Sequence, residues 1–257
     1  MEVKSILGEI GKNNKGTLMK IIRYGGKSDI DIEFLDEFHY IKEHCLYINF
    51  KNGQIKNPYD RTVYGIGYIG VGLYKPSINK ENTQEYNLWD SMLERCYCEK
   101  RRHRAKTYFD CEVCKEWYNF QNFSKWFHEN YYECNDRLHV DKDIILQGNR
   151  IYSPDTCLLI PQKLNVLFVN KINKRGLPNG IYKVKTGYFA KYNNEDLGIY
   201  KTVTEAFSSY AIAKKREIIR VANEYKNIIP PATYDYIVNY KIRIENDKNY
   251  KAVKENI

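Results

Sequence analysis

The sequence predicts an α+β protein of modular build: a β-rich N-terminal unit over residues 1–75, a central ββα unit over 76–170, and a three-stranded sheet plus helix over 171–257. Three observations carry this. The first 75 residues hold runs in which β-branched and aromatic residues alternate with polar ones, the period of a half-buried strand. Residues 86–130 switch to aromatics at helical spacing. Residues 176–225 read as three short strands followed by a long helical pattern.

In the first unit, TLMKIIRY (17–24) and DIDIEFL (29–35) have the strand pattern, with turns at Gly25-Gly26 and Asn52-Gly53. The segment VYGIGYIGVGLY (63–74) sets four glycines among apolar residues. No Gly-Lys-Ser/Thr follows, so it reads as a tight structural connection and not a phosphate loop. In YNLWDSMLERCY, Trp89, Met92, Leu93 and Cys96 fall on one helix face. A dense basic loop follows, with Lys100, Arg101, Arg102, Arg104 and Lys106. EWYNFQNFSKWFHENYY is a second helix, with Trp117, Phe120, Phe123 and Phe127 inward. RLHVDKDI and IYSPDTCLLI read as a hairpin, and QKLNVLFVN as the helix after it. KINKRGLP (171–178) is the expected interdomain linker. The helix of TVTEAFSSYAIAKKREIIRVANEY takes Thr204 as its N-cap. A short helix over 232–244 and a frayed tail end the chain.

The net charge of +9 suits a polyanionic partner through phosphate neutralisation. Twenty-four tyrosines suit half-buried sheets and surfaces that touch polar partners. No run of about 18 apolar residues is present, so no membrane span is expected. The N-terminus lacks the apolar core of a signal peptide. An intracellular setting follows, in which seven cysteines are thiols or metal ligands and not a disulfide framework.

The chemistry concentrates at residues 137–165. On a strand, His139, Asp141 and Asp143 share one face, and Val140, Lys142 and Ile144 the other. The following helix presents Asn165. A carboxylate and an amide carbonyl are hard oxygen ligands, suited to Mg²⁺ or Mn²⁺. A cation held there stabilises charge developing on a phosphate during strand cleavage. Asp143 is a second ligand or the partner of a nearby cation.

WDSMLERCY, TYFDCEVCKEWYNFQNFSKWF and LHVDKDIILQGNRIYSPDTCLLIPQKLN together resemble phage-encoded HNH, or ββα-metal, endonucleases over residues 64–170. The resemblance implies that Asp141 and Asn165 hold the divalent ion. Lys142 stands where that family has its catalytic histidine, and Thr156 where it has the asparagine that pins the hairpin loop. Lysine is a poor base near neutral pH but a good phosphate holder. His139, on the Asp141 face, is the alternative base. The catalytic set is therefore His139, Asp141, Lys142 and Asn165.

Cys111-x-x-Cys114 has the spacing of half a zinc knuckle, and Cys96 and Cys98 lie upstream. These four have the count for a structural Zn²⁺. They also fit buried thiols on apolar faces.

GIYKVKTGYFAKY, LGIYKTVTEAFSSYAIAKKREI resembles the DNA-binding domain of plant ethylene-response transcription factors. The resemblance implies a three-stranded sheet packed on a helix, with DNA contacts from Tyr182, Lys183, Lys185, Lys191 and Tyr192. Lysines and tyrosines stand where that family has arginines, which favours phosphate contact over base reading. Residues 171–225 hold eleven Lys/Arg against five Asp/Glu.

Two functions from different classes follow. One is a metal-dependent DNA endonuclease of the phage homing or nicking kind, acting in the host cytoplasm. The other is a nuclease-inactive binder that a phage uses for regulation, or against a host protein such as a defence nuclease. RNA binding is a third reading.

Overall fold

The computed structural model describes residues 6–104 and 110–250, with the side chains of 102 and 104 left undescribed. The chain is α+β. It forms two compact units: residues 1–109 with 115–125, and residues 110–114 with 126–257.

The first unit opens with an antiparallel sheet of β1 (Ile10–Lys12), β2 (Leu18–Gly26), β3 (Asp29–Phe34) and β4 (Ile41–Cys45), in sequence order. Met19, Ile21, Ile30, Ile32 and Phe34 are fully buried on it. They cluster with Phe50 of α1 (Tyr47–Lys51). A small hairpin, β5 (Ser77–Ile78) with β6 (Glu81–Asn82), leads into α2 (Gln84–Tyr97). Thr83 caps α2 by accepting from the Tyr86 N–H. Trp89, Met92, Leu93 and Cys96 are buried, as their spacing requires.

The glycine-rich segment packs against this helix. A Cβ at Gly67 would meet Leu93 at 2.5 Å and Trp89 at 2.8 Å; one at Gly70 would meet Asn119 at 2.4 Å. Gly67, Gly70 and Gly72 are there for close approach to protein. The basic stretch expected as a loop begins as a helix, α3 (Glu99–Arg104).

The second unit starts at β7 (Glu112–Val113); α4 (Phe120–Asn130) follows in the chain. The hairpin is β8 (Leu138–Asp141) paired antiparallel with β10 (Leu158–Pro161). The expected returning strand is interrupted. Its first part, β9 (Ile151–Tyr152), pairs instead with β7 in parallel. A Ser153–Thr156 turn, closed by a hydroxyl–hydroxyl bond of 2.8 Å, separates it from β10. The following helix is short: α5 (Gln162–Asn165) and one 3-10 turn.

The C-terminal sheet is the meander β11 (Ile181–Val184), β12 (Gly187–Tyr192), β13 (Glu195–Tyr200). Its core is Ile181, Ala190, Ala206, Phe207 and Tyr210. The helix α6 (Val203–Glu224) is capped by Thr202 and not by Thr204. Thr202 and Glu205 bond reciprocally, which places Glu205 at the third helical position.

The boundaries expected at 75/76 and 170/171 do not separate compact units. The reason at the second is α6 itself. Its first turns cover the sheet, while Ile218, Val221 and Ala222 pack with Ile144 after β8, Ile160 of β10, Leu164 of α5 and Ile237 of α7 (Pro231–Asn239). One 22-residue helix thus serves two cores. The supposed linker is also tied down. Asn173 N–H donates to Asn249 Oδ1, and Asn179 donates to Asp247. Asp247 and Asn249 are buried, so the tail expected to fray is anchored as far as Tyr250.

Candidate functional site

The site is built on the β8–β10 hairpin. Alternation along β8 buries Leu138 and Val140 and leaves His139 and Asp141 half-buried on the other face. Their cross-strand partners are Ile160 and Leu158, which belong to the core under α6. Asp141 therefore sits at the margin of an apolar region.

The Asp141 carboxylate is held by the backbone. One oxygen, Oδ1, accepts the N–H groups of Asp143 at 2.8 Å and Ile144 at 2.9 Å. Burial, then the charge of Asp143, pushes this carboxyl up to about 6 from its usual value, against the two N–H donors. No described cation bonds it directly.

Lys142 is used differently from the expectation. Its ammonium is buried and donates to both Asp143 oxygens and to the Asn149 carbonyl, all at 2.8 Å. It also lies 5.7 Å from the Tyr152 ring centre. All three ammonium hydrogens have an acceptor, so Lys142 joins the two ends of the hairpin loop. Its side chain does not lie on the Asp141 face. Asp143 spends its charge on this pair.

His139 and Asn165 meet. The Asn165 amide nitrogen lies 3.1 Å from His139 Nδ1. With the nitrogen towards the ring, Asn165 donates and the ring hydrogen stays on Nε2. With the oxygen towards the ring, Nδ1–H donates and Nε2 is left as an acceptor. The hairpin and short helix thus bring His139, Asp141 and Asn165 to one side and Lys142 to another.

The loop anchor is Asn149, which the sequence reading did not single out. Its amide donates to the carbonyls of Lys142 and Ile151, and its carbonyl accepts from the Ile151 N–H. Thr156, the expected anchor, adds one bond to the Ile151 carbonyl. The Gly148-Asn149 pair was the available signal. Tyr240 was also missed. It packs on Phe168, and burial together with the nearby Asp141 and Asp143 charges pushes its phenol up to about 12. Between the loop after Asp141 and α7, a cleft of about 780 Å³ is lined in part by Gln147, Tyr236, Tyr240 and Arg243.

Among the described residues, one group of three or more His, Cys, Asp or Glu has its ligand atoms together: Asp29, Asp31 and His44. It already holds a cation. The Arg23 guanidinium donates to both carboxylates at 2.5–3.0 Å and holds Asp29 down to about 2. None of Cys96, Cys98, Cys111 and Cys114 belongs to such a group. Cys96 and Cys111 are buried thiols, and Cys98 and Cys114 are half-buried.

Of the expected phosphate contacts, Lys100 and Arg101 lie exposed on α3, and Arg101 pairs with Glu94 at 2.5 Å. The side chains of Arg102 and Arg104, and all of Lys106, lie outside the described residues. The C-terminal set divides between the two faces of the sheet. Tyr192 faces the helix and packs edge-on against Tyr210. Lys183 is on that side too, because its cross-strand partner is Tyr188 of the helix-side core; its ammonium lies 4.1 Å from the Tyr188 ring centre. Tyr182 is on the outer face, and Lys191 pairs with Asp196. Lys185 is exposed in the β11–β12 turn. No helix of the described residues is long and apolar enough to cross a membrane.

No family model, no curated protein and no solved structure matches this chain.

Proposed function

We propose that the hairpin-plus-helix unit binds one divalent cation, Mg²⁺ or Mn²⁺, and cleaves DNA phosphodiesters in the manner of HNH endonucleases. The observation that carries this reading is Asp141. Its carboxyl is fixed by two N–H groups, is set in a low-dielectric margin, and is bonded by no cation among the described residues. A hard divalent ion is the partner such a group favours at neutral pH. Asn165 Oδ1 supplies the second protein oxygen. The ion would polarise the scissile phosphate and stabilise the leaving oxygen.

His139 has two roles open to it, set by the Asn165 amide. Acting as general base on water requires Nε2 free, with Nδ1–H donating to Asn165. In the opposite orientation Nε2–H donates to a phosphate oxygen. Lys142 takes no part in proton transfer, since its hydrogens are committed to the loop. Asp143 is neutralised by Lys142 and does not ligate.

One observation favours a second reading. The position where HNH enzymes carry their histidine is occupied by a buried, ion-paired lysine, which stabilises the loop and does no chemistry. In that reading the fold is a binding scaffold aimed at DNA or at a host protein.

Incubating the full chain with supercoiled plasmid and Mg²⁺ or Mn²⁺ separates the two. The nuclease reading expects relaxed circles from the wild type and none from Asp141→Ala. Plasmid bound by both proteins and cut by neither would sink it in favour of the scaffold.

A further inference from the structure

We infer that the cleft between the hairpin loop and α7 binds a free guanine nucleotide, with the base on α7 and the phosphates on Lys241 and Arg243. The site goes beyond the nuclease reading and does not rest on it.

The cleft has three walls: residues 144–147 of the loop, one face of α7, and residues 240–246. The third wall is tied to the first. Gln147 Nε2 donates to the Lys241 carbonyl at 2.8 Å, and the Asn246 amide donates to Gln147 Oε1. The site is therefore preformed. Its volume of about 780 Å³ falls in the range of small-molecule sites, about 300–1,000 Å³. The α7 wall carries Ala232, Asp235, Tyr236 and Asn239, the i, i+3, i+4, i+7 spacing of one helix face. Thr233 and Ile237 are buried on the other face.

The polar groups of these walls are unspent. Among the described residues, the side chains of Asp235, Tyr236, Asn239, Lys241 and Arg243 bond to no protein group. Asp235 and Arg243 line one cleft without pairing, so each is left to a ligand. Asp235 and Asn239 stand at i and i+4, with Cβ atoms about 5–6 Å apart. A carboxylate accepts from guanine N1–H and N2–H together, and an amide donates to O6. Adenine offers that edge one amino donor and no carbonyl, so a partner goes unmet. Tyr236 is 44% exposed and has no ring or cation against it among the described residues, which leaves a face for stacking.

Charge favours a free nucleotide over a strand. Lys241 and Arg243 lie on one wall. Residues 144–147 carry no charge, and residues 227–240 hold no Lys or Arg and one acid, Asp235. Two cations suit a mono- or diphosphate. A strand needs a basic groove that tracks its backbone, and these walls lack one.

The test is isothermal titration calorimetry of the full chain, in chelator, with GDP, ADP, guanosine and a guanine-containing single-stranded oligonucleotide. The expected result is one GDP per chain, with ADP and guanosine each weaker by about ten-fold or more. Asp235→Ala removes the preference for GDP over ADP. Arg243→Gln combined with Lys241→Gln brings GDP to the level of guanosine. Tyr236→Ala weakens all three, and Tyr236→Phe retains them. These side chains are exposed, so thermal melting of the variants matches the wild type. No binding of GDP, equal binding of ADP, affinity that survives loss of both cations, or an oligonucleotide bound more tightly than GDP overturns the inference. Asp141→Ala binds GDP like the wild type, which separates this site from the cation site. Plasmid nicking without GDP binding sinks this site and leaves the nuclease reading standing; GDP binding without nicking does the reverse.

Discussion

Replacing Lys142 by methionine separates a structural lysine from a catalytic one. The wild-type side chain is 7% exposed and makes three ammonium bonds, two to Asp143 and one to the Asn149 carbonyl. Breaking a buried ion pair typically costs about 3–5 kcal/mol. Here the cost is smaller, because the Asp143 side chain is 46% exposed and regains water. The Asn149 carbonyl loses its ammonium donor, worth about 1–3 kcal/mol. Methionine keeps much of the apolar stem. The net expectation is a loss of about 2–3 kcal/mol. For a chain of this size that lowers the melting midpoint by about 4–10 °C. Differential scanning calorimetry and plasmid cleavage are read on the same preparation. Cleavage per folded molecule, measured well below the midpoint, should stay within a few-fold of the wild type. Abolished cleavage with an unchanged midpoint would refute the reasoning, since Lys142 would then act on substrate and not on the loop.

Other outcomes follow from the same geometry. Because the Asp141 carboxyl is raised to about 6 from an ordinary 3.8, the folded state binds its proton more tightly than the unfolded state. Its contribution is present below the unfolded value and lost as pH rises through the folded one. In chelator, Asp141→Asn should therefore raise the midpoint at about pH 7.5 and leave it nearly unchanged near pH 4; a lowered midpoint at the higher pH would count against the assignment. Asn149→Ala removes three loop bonds and should cost about 2–3 kcal/mol by urea denaturation, whereas Thr156→Ala should cost less. Thr202→Ala should lose about 1 kcal/mol through the capping box, with Thr204→Ala near neutral; the reverse order would restore Thr204 as the cap. Gly67→Ala should destabilise by about 1–3 kcal/mol through overlap with Leu93 and Trp89. A tolerated alanine there would mean that the segment does not pack as described.

Local signals in the sequence were legible where one residue type has one physical use. The helix face of Trp89, Met92, Leu93 and Cys96 followed from spacing alone, as did the alternation that sets His139 and Asp141 apart from Val140. The Thr-x-x-Glu signature at Thr202 was present in the sequence, and reading Thr204 in its place ignored where Glu205 would fall. Other features needed partners far along the chain. Lys142 on the apolar side of an alternating strand gave no sign of its acceptors, because Asn149 reaches it only through the turn of the loop. The continuity of α6 across two cores depends on Ile218 and Val221 meeting Ile160 and Leu164, some 57 residues upstream. Periodicity reports that a face is apolar and not which neighbour covers it. The break between β9 and β10 has a related cause: β9 takes its partner from β7, outside the hairpin.

The claim that the Asp141 face is a live cation site is met most directly by titrating the metal-free chain with Mn²⁺ and following free ion by electron paramagnetic resonance. The account predicts one bound ion per chain near neutral pH, competed by Mg²⁺, weakened as pH falls below about 6, kept in Lys142→Met and lost in Asp141→Ala. Absence of binding in the wild type, or binding that Asp141→Ala leaves intact, would contradict it.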